Sequence, residues 1–213
     1  MTARALPRTP RGARTRAKLL EAAEGVFETV GYHDASIVKI TEQAGVALGT
    51  FYVHFPGKKE IFDEVVLDLS RRVRQAMTEG ASGASDRIEA ERLGFEAFFR
   101  FTAEHPALYR IIRQAEFVSP EAMRAHYDAI CKGYVAGLSR AQAAGEIRDD
   151  VDPTVAAWAL MGAGELIGMR WVLWDGARQI DPAVYAGLMD IVEGALAPRQ
   201  DRGASHDDRE DRP

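Results

Sequence analysis

Apolar positions recur at three- and four-residue steps along most of the chain, the period of helices that each bury one face. Leu19, Ala22, Ala23, Val26, Phe27 and Val30 form the first stripe and predict a helix from about Ala13 to Val30, with Gly31 as its C-terminal stop. Ser36 is a good N-cap for a short second helix, Ile37 to Ala44, in which Ile37, Ile40 and Ala44 face one way and Gly45 supplies a turn. A third short helix, about Ala47 to His54, stops before Phe55-Pro56-Gly57. A long fourth begins near Lys58, with Ile61, Phe62, Val65, Val66, Leu69 and Val73 spaced to join the helices on either side of it.

Beyond a Gly/Ser-rich break at Gly80 to Ser85, the pattern predicts helices over Asp86 to Glu104, Pro106 to Val118, Glu121 to Ala144, Pro153 to Trp174 and Pro182 to Leu196. The last two each open on an Asp-Pro pair, which supplies a cap and a fixed φ. Alternating β-branched runs, fixed-period repeats and Gly-rich nucleotide loops are all missing, so the fold class is all-α. The expected organisation is a basic tail at 1–12, a three-helix unit at 13–57, a helical bundle at 58–197 entered through the long helix, and a polar tail at 198–213. Both tails are expected to be disordered.

The 213 residues are 46% hydrophobic and 28% charged, enough for a substantial core. With no long uncharged apolar run and no signal-peptide pattern, the reading is a cytoplasmic protein without a membrane partner. A single cysteine, Cys131, excludes an internal disulfide and a thiolate metal site. The net charge of −5 is unevenly placed: residues 1–60 hold nine Lys and Arg against six Asp and Glu, and the remainder holds 18 against 26. Arg4, Arg8, Arg11, Arg14, Arg16 and Lys18 all precede the first acid, Glu21, which suits a segment lying along phosphates as well as it suits a solubilising tail. Without G-x-S-x-G, H-E-x-x-H, a P-loop or ligand-spaced histidines, neither an enzyme nor a bound cofactor is expected.

Residues 36 to 55 meet the needs of a helix-turn-helix: a packed first helix, a glycine turn, and a second helix anchored inward by Phe51 and Phe55. The run Ile37-Val38-Lys39-Ile40-Thr41-Glu42-Gln43-Ala44-Gly45-Val46-Ala47-Leu48-Gly49-Thr50-Phe51-Tyr52-Val53-His54-Phe55, followed by Lys58-Lys59-Glu60-Ile61, closely resembles the DNA-binding segment of tetracycline-repressor-type (TetR family) regulators. The resemblance implies that Leu48 and Thr50 face base edges, that Tyr52, His54 and Lys58 touch phosphates, and that Lys39 contributes from the preceding helix. Gly49 would let the backbone approach the sugar-phosphate chain. Ala47 departs from the pattern, standing where many relatives have a capping serine.

The same resemblance implies a homodimer that pairs through the last two helices, with Trp158, Gly162, Leu166, Tyr185, Leu188, Met189, Val192 and Leu196 as candidate contacts. The core of one subunit could bury these residues instead. It also implies an effector pocket in the bundle, with Phe98, Phe101, Tyr109, Ile112, Phe117, Tyr127, Cys131 and Tyr134 as lining and Arg113 and Glu165 as polar contacts. The stretch His105 to Phe117 resembles, more loosely, members that sense acyl-CoA. These resemblances together imply a repressor that binds a double-stranded operator and is released by a small apolar ligand. A helical protein-interaction adaptor is the alternative, and it leaves the basic N-terminus unexplained.

Overall fold

A computed structural model describes residues 9–199. Arg4, Arg8 and all but the first two residues of the polar C-terminal tail lie outside the described residues. Among those described, the chain is all-α, with nine α-helices, one π-helical segment and no strand. The head comprises α1 (Pro10–Asp34), α2 (Ile37–Ala44) and α3 (Leu48–His54). The helix α1 starts within the segment read as a tail, because Pro10 takes the first helical position and the Thr9 hydroxyl accepts the Gly12 amide at 3.1 Å. Gly31 interrupts it with φ of 76°, and one further turn follows. Leu19, Ala23 and Phe27 are fully buried against Ile40, Phe51 and Phe55, whereas Val30 turns outward.

The body comprises α4 (Lys58–Gly80), α5 (Arg87–Glu104), α6 (Ala107–Val118), α7 (Pro120–Ala143), α8 (Pro153–Gly168) and α9 (Pro182–Leu196). Carboxylates of Asp86, Asp152 and Asp181 cap α5, α8 and α9 by accepting amides of the first turn. Ile61, Phe62, Val66 and Leu69 of α4 join the head core to Leu108, Ile111 and Ala115 of α6, so one hydrophobic cluster crosses from head to body. A second cluster holds Phe95 and Phe99 of α5, Leu138 of α7, Leu160 of α8 and Leu188, Met189, Val192 and Leu196 of α9. The helix expected to run from Pro153 to Trp174 changes form: α8 ends at Gly168, and Met169–Trp174 widens into a π-helix.

Polar contacts tie the head to the body. The Gln114 side-chain oxygen accepts the Tyr32 amide at 2.6 Å, beside the Gly31 kink. The Lys59 ammonium reaches Asp63 at 2.9 Å, the Ser119 hydroxyl at 3.2 Å and Glu121 at 2.6 Å, joining the start of α4 to the α6–α7 corner. Arg72 links Glu24 of α1 at 2.7 Å to the His105 ring at 3.1 Å.

Candidate nucleic-acid interface and internal cavity

The turn between α2 and α3 is built from its sequence. The Ser36 hydroxyl accepts the Lys39 amide at 3.1 Å and starts α2, and Gly45 ends it in the left-handed region at φ of 65°. The Gly45 and Val46 amides then donate to the carbonyls of Glu42 and Thr41, which closes the turn. Phe51 and Phe55 are buried at 0% and 1% exposure, and this fixes the rotation of α3. Leu48 and Tyr52 are consequently about half exposed, Gly49 is open on its outer side, and Thr50 and His54 are partly exposed. Ala47 makes no side-chain cap. On α1, Arg11, Arg14 and Lys18 are exposed and enter no ion pair among the described residues, whereas Arg16 pairs with Glu64 at 2.5 Å and lies over the Phe55 ring.

Lys58 departs from its expected role. Its ammonium donates to the carbonyls of Tyr32 at 2.7 Å, His33 at 3.3 Å and Ala35 at 2.8 Å, and it lies 4.4 Å from the centre of the Tyr32 ring. It caps the end of α1 and has no donor to spare for a phosphate. Lys39 donates to the Asp34 carbonyl at 3.0 Å and remains exposed.

A narrow cavity of about 60 Å³ lies between α4, α5, α6, α7 and α8. From the expected set, Phe98, Tyr109, Ile112, Arg113, Tyr127, Tyr134 and Glu165 line it. Three residues are corrected. Phe117 is 83% exposed and points to solvent; Phe101 turns to the other side of α5, against His105; and half-buried Cys131 packs on the second cluster. Sequence reasoning missed Val73 and Met77 of α4, His126 and Ile130 of α7, and Met161 and Gly164 of α8. On α7 the spacing of His126, Ile130 and Tyr134 carried the signal, one residue away from the face centred on Cys131.

The polar groups of the cavity differ in how they are satisfied. The Tyr127 hydroxyl donates to the Glu165 carboxylate, 3.0 Å from both oxygens, and burial together with that charge raises its pKa. Tyr134 donates to Glu91 at 3.0 Å; Glu91 is almost wholly buried, pairs with Arg87, and has a pKa raised by burial. Arg113 donates to the Met169 thioether at 2.7 Å. The Tyr109 hydroxyl makes no well-formed hydrogen bond; its polar neighbour is the Thr102 hydroxyl, whose own proton goes to the Phe99 carbonyl, and burial raises the phenol's pKa. Nδ1 of His126 also has no partner, and burial, helped by Arg74, pushes the ring's pKa down to about 4.

The expected dimer contacts divide into two groups. Trp158 and Leu166 are exposed on α8, with half-buried Gly162 between them and exposed Val155 extending the stripe. Leu188, Met189, Val192 and Leu196 are at most 3% exposed and belong to the protomer's own core, so they cannot also face a partner. Tyr185 is half-buried and donates to the Arg92 carbonyl. The outward residue of α9 is instead Ile191, 70% exposed, flanked by Gly187 and Gly194.

A glycine-hinged helix pair with an inward-anchored second helix, on an all-α body with an internal cavity, defines a helix-turn-helix regulator. The model for bacterial regulatory proteins of the tetR family matches residues 19–65. The uncharacterized HTH-type transcriptional regulator YdgC of Bacillus subtilis (strain 168) is 30% identical over 194 residues, covering 89% of this chain and 96% of that protein. The chain belongs to the tetR family of transcriptional regulators. Salmonella enterica GusR superposes with a TM-score of 0.76 at 26% identity over 89% of this chain and 98% of that one. FadR from Bacillus subtilis, solved in complex with stearoyl-CoA, does so at 0.72 with 22% identity over 83% and 96%. Among the described residues, no helix is long and apolar enough to cross a membrane.

Proposed function

We propose that the chain is a homodimeric repressor that binds a two-fold operator through α3 and is released when a small apolar molecule enters the cavity. The observation that carries the DNA half is the rotation of α3: burying Phe51 and Phe55 places Leu48 and Thr50 on the outer side, where base edges would lie, and Tyr52 and His54 where phosphates would. Arg11, Arg14 and Lys18 supply cations for the backbone. The exposed stripes of α8 and α9, centred on Trp158, Leu166 and Ile191, supply the apolar face by which two copies would place their α3 helices about 34–36 Å apart, one DNA turn.

The sensing half rests on continuity. Val73 and Met77 of α4 and Ile112 and Arg113 of α6 line the cavity, and the next residue on α6, Gln114, holds the Tyr32 amide of the head. A ligand that parts α4 from α6 would therefore move the head, provided it binds the two arrangements with different affinity. The structure solved with stearoyl-CoA makes an acyl-CoA one candidate effector.

Sequencing the DNA fragments that the purified chain selects, then titrating that site by fluorescence anisotropy, tests the reading. A palindromic site bound by a dimer is expected, with affinity falling about 100-fold in the Tyr52→Ala/His54→Ala variant while its melting temperature holds. Neutralising Arg11, Arg14 and Lys18 together should lower the salt slope by roughly 2 to 3. No selected sequence, or an unchanged affinity in the double variant, would refute the assignment and favour a protein-interaction adaptor.

A further inference from the structure

We infer that the effector is an uncharged, largely apolar molecule bearing a hydrogen-bonding oxygen, as in an alcohol, ketone or ester, and that Tyr109 and His126 recognise this oxygen. The inference rests on the proposed role of the cavity and names the chemistry the cavity selects. Tyr109 and His126 are 4% and 5% exposed, both line the cavity, and each carries a polar atom with no partner. Buried polar groups in native proteins are nearly always well bonded, so two such groups on residues that line one cavity mark where a partner belongs. The fold also makes room for the phenol oxygen specifically: a Cβ on Gly168 would lie 1.9 Å from it. At that point α8 gives way to the π-helix, a register change frequent at functional sites.

Charge on the lining argues against an anionic head group. Arg113 and Glu165 are the only lining side chains with a formal charge, one of each sign. His126 cannot add a positive charge near neutrality, because burial keeps its ring unprotonated down to about pH 4. A carboxylate held between Tyr109 and His126 would lose its water in a largely apolar space, with Arg113 on the exposed side, Glu165 opposing it and Arg74 acting on the imidazole from outside the lining, whereas a neutral oxygen can accept from the Tyr109 hydroxyl and exchange a hydrogen bond with the imidazole at less cost. At about 60 Å³ the cavity holds only a few water-sized groups, so a ten-carbon ligand must part the helices that line it.

Calorimetry on the full chain at about pH 7, with operator release measured in the same samples, tests this with four probes of similar length: decanol, methyl nonanoate, decanoate and decanoyl-CoA. Decanol and methyl nonanoate are expected to bind at least about ten-fold more tightly than the two anions. Tyr109→Phe should weaken decanol and methyl nonanoate at least about five-fold while keeping or raising the melting temperature of the free protein, a loss of binding without a loss of stability. His126→Leu is the second variant and should weaken the two neutral probes in the same way. Equal or tighter binding of either anion overturns the inference, and if decanoyl-CoA also releases the operator, the repressor reading survives it. Undiminished binding of both neutral probes in Tyr109→Phe overturns it as well. If no probe binds the unsubstituted chain, the inference fails, and the operator measurement shows whether the DNA-binding reading fails with it.

Discussion

In the head, the Ser36 hydroxyl starts α2, Gly45 closes its turn, and the Lys58 ammonium rests on three carbonyls at the end of α1. In the body, the Tyr109 hydroxyl and His126 Nδ1 belong to more deeply buried residues and make no well-formed hydrogen bond. Among the described residues the other buried side-chain atoms without partners are Asp63 Oδ1 and Arg87 Nε, so none of the four lies in residues 9–57. A surface that must present side chains in one geometry benefits from satisfied groups that hold it there. A chamber that must respond to a small molecule benefits from bonds left for that molecule to complete, because only a differential interaction shifts an equilibrium. Under the proposed function, the contrast places stiffness in the part that would read DNA and unmet valence in the part that would sense a ligand.

The largest effect expected from this contrast is in the head. Lys58→Met keeps the stem but strands the carbonyls of Tyr32, His33 and Ala35, which the ammonium satisfies together. Charge-assisted bonds to a half-buried lysine, allowing for partial rescue by water, put the loss at about 3 kcal/mol by urea denaturation. A loss below about 1 kcal/mol would show that the cap is dispensable and that the head is no better determined than the body.

A smaller effect, with a distinctive pH dependence, is expected from His126. Burial lowers its folded-state pKa to about 4 from the ordinary 6.5, so between these values the unfolded chain takes up a proton that the folded chain refuses. The group costs nothing in charge terms above pH 6.5, and stability is lost as pH falls below it, by about 2 kcal/mol at pH 5. Glu91 works in the opposite direction, since burial raises its pKa and protonation relieves its penalty. The informative quantity is therefore the difference between the unsubstituted chain and His126→Leu, measured from pH 7 to 5. A flat difference would mean that the imidazole is solvated and the cavity wall is not as dry as described.

The same contrast explains what the sequence disclosed. The head was readable in detail because local chemistry dictates it: Ser36 and Gly45 bound α2, and the spacing of Phe51 and Phe55 sets the face of α3. The helices of the body were readable from Asp caps and apolar period, yet their rotations about their own axes were not. Leu188, Met189, Val192 and Leu196 fit an apolar stripe whether it faces a partner or the protomer's own core, and only the placement of α5 decides for the core. His126 looked like one histidine among five, because the absence of a partner is a property of the packing around it. Lys58 was misplaced for a related reason: its partners are backbone carbonyls more than twenty residues earlier, which carry no side-chain signature.

The finest division between reader and sensor lies at Gly168 and Tyr109. A methyl group on Gly168 would sit 1.9 Å from the phenol oxygen but 3.1 Å from the ring carbon that bears it. The oxygen lies on the ring axis and cannot rotate away, so Gly168→Ala alone should cost about 1–2 kcal/mol, the overpacking penalty less the gain in helix propensity. In a Tyr109→Phe background the ring carbon at 3.1 Å and Phe99 Cδ1 at 3.4 Å must still give by a few tenths of an ångström, and the same substitution should cost at least about 1 kcal/mol less. Tyr109→Phe alone should stabilise the free protein by about 1 kcal/mol, because it removes a buried hydroxyl that has no bond to lose. The double-mutant cycle should therefore show a coupling of about 1–2 kcal/mol, where independent sites give less than about 0.5. A coupling within that smaller range would mean that the hydroxyl does not rest on Gly168, and the cavity would lose the feature that sets it apart from an ordinary packing defect.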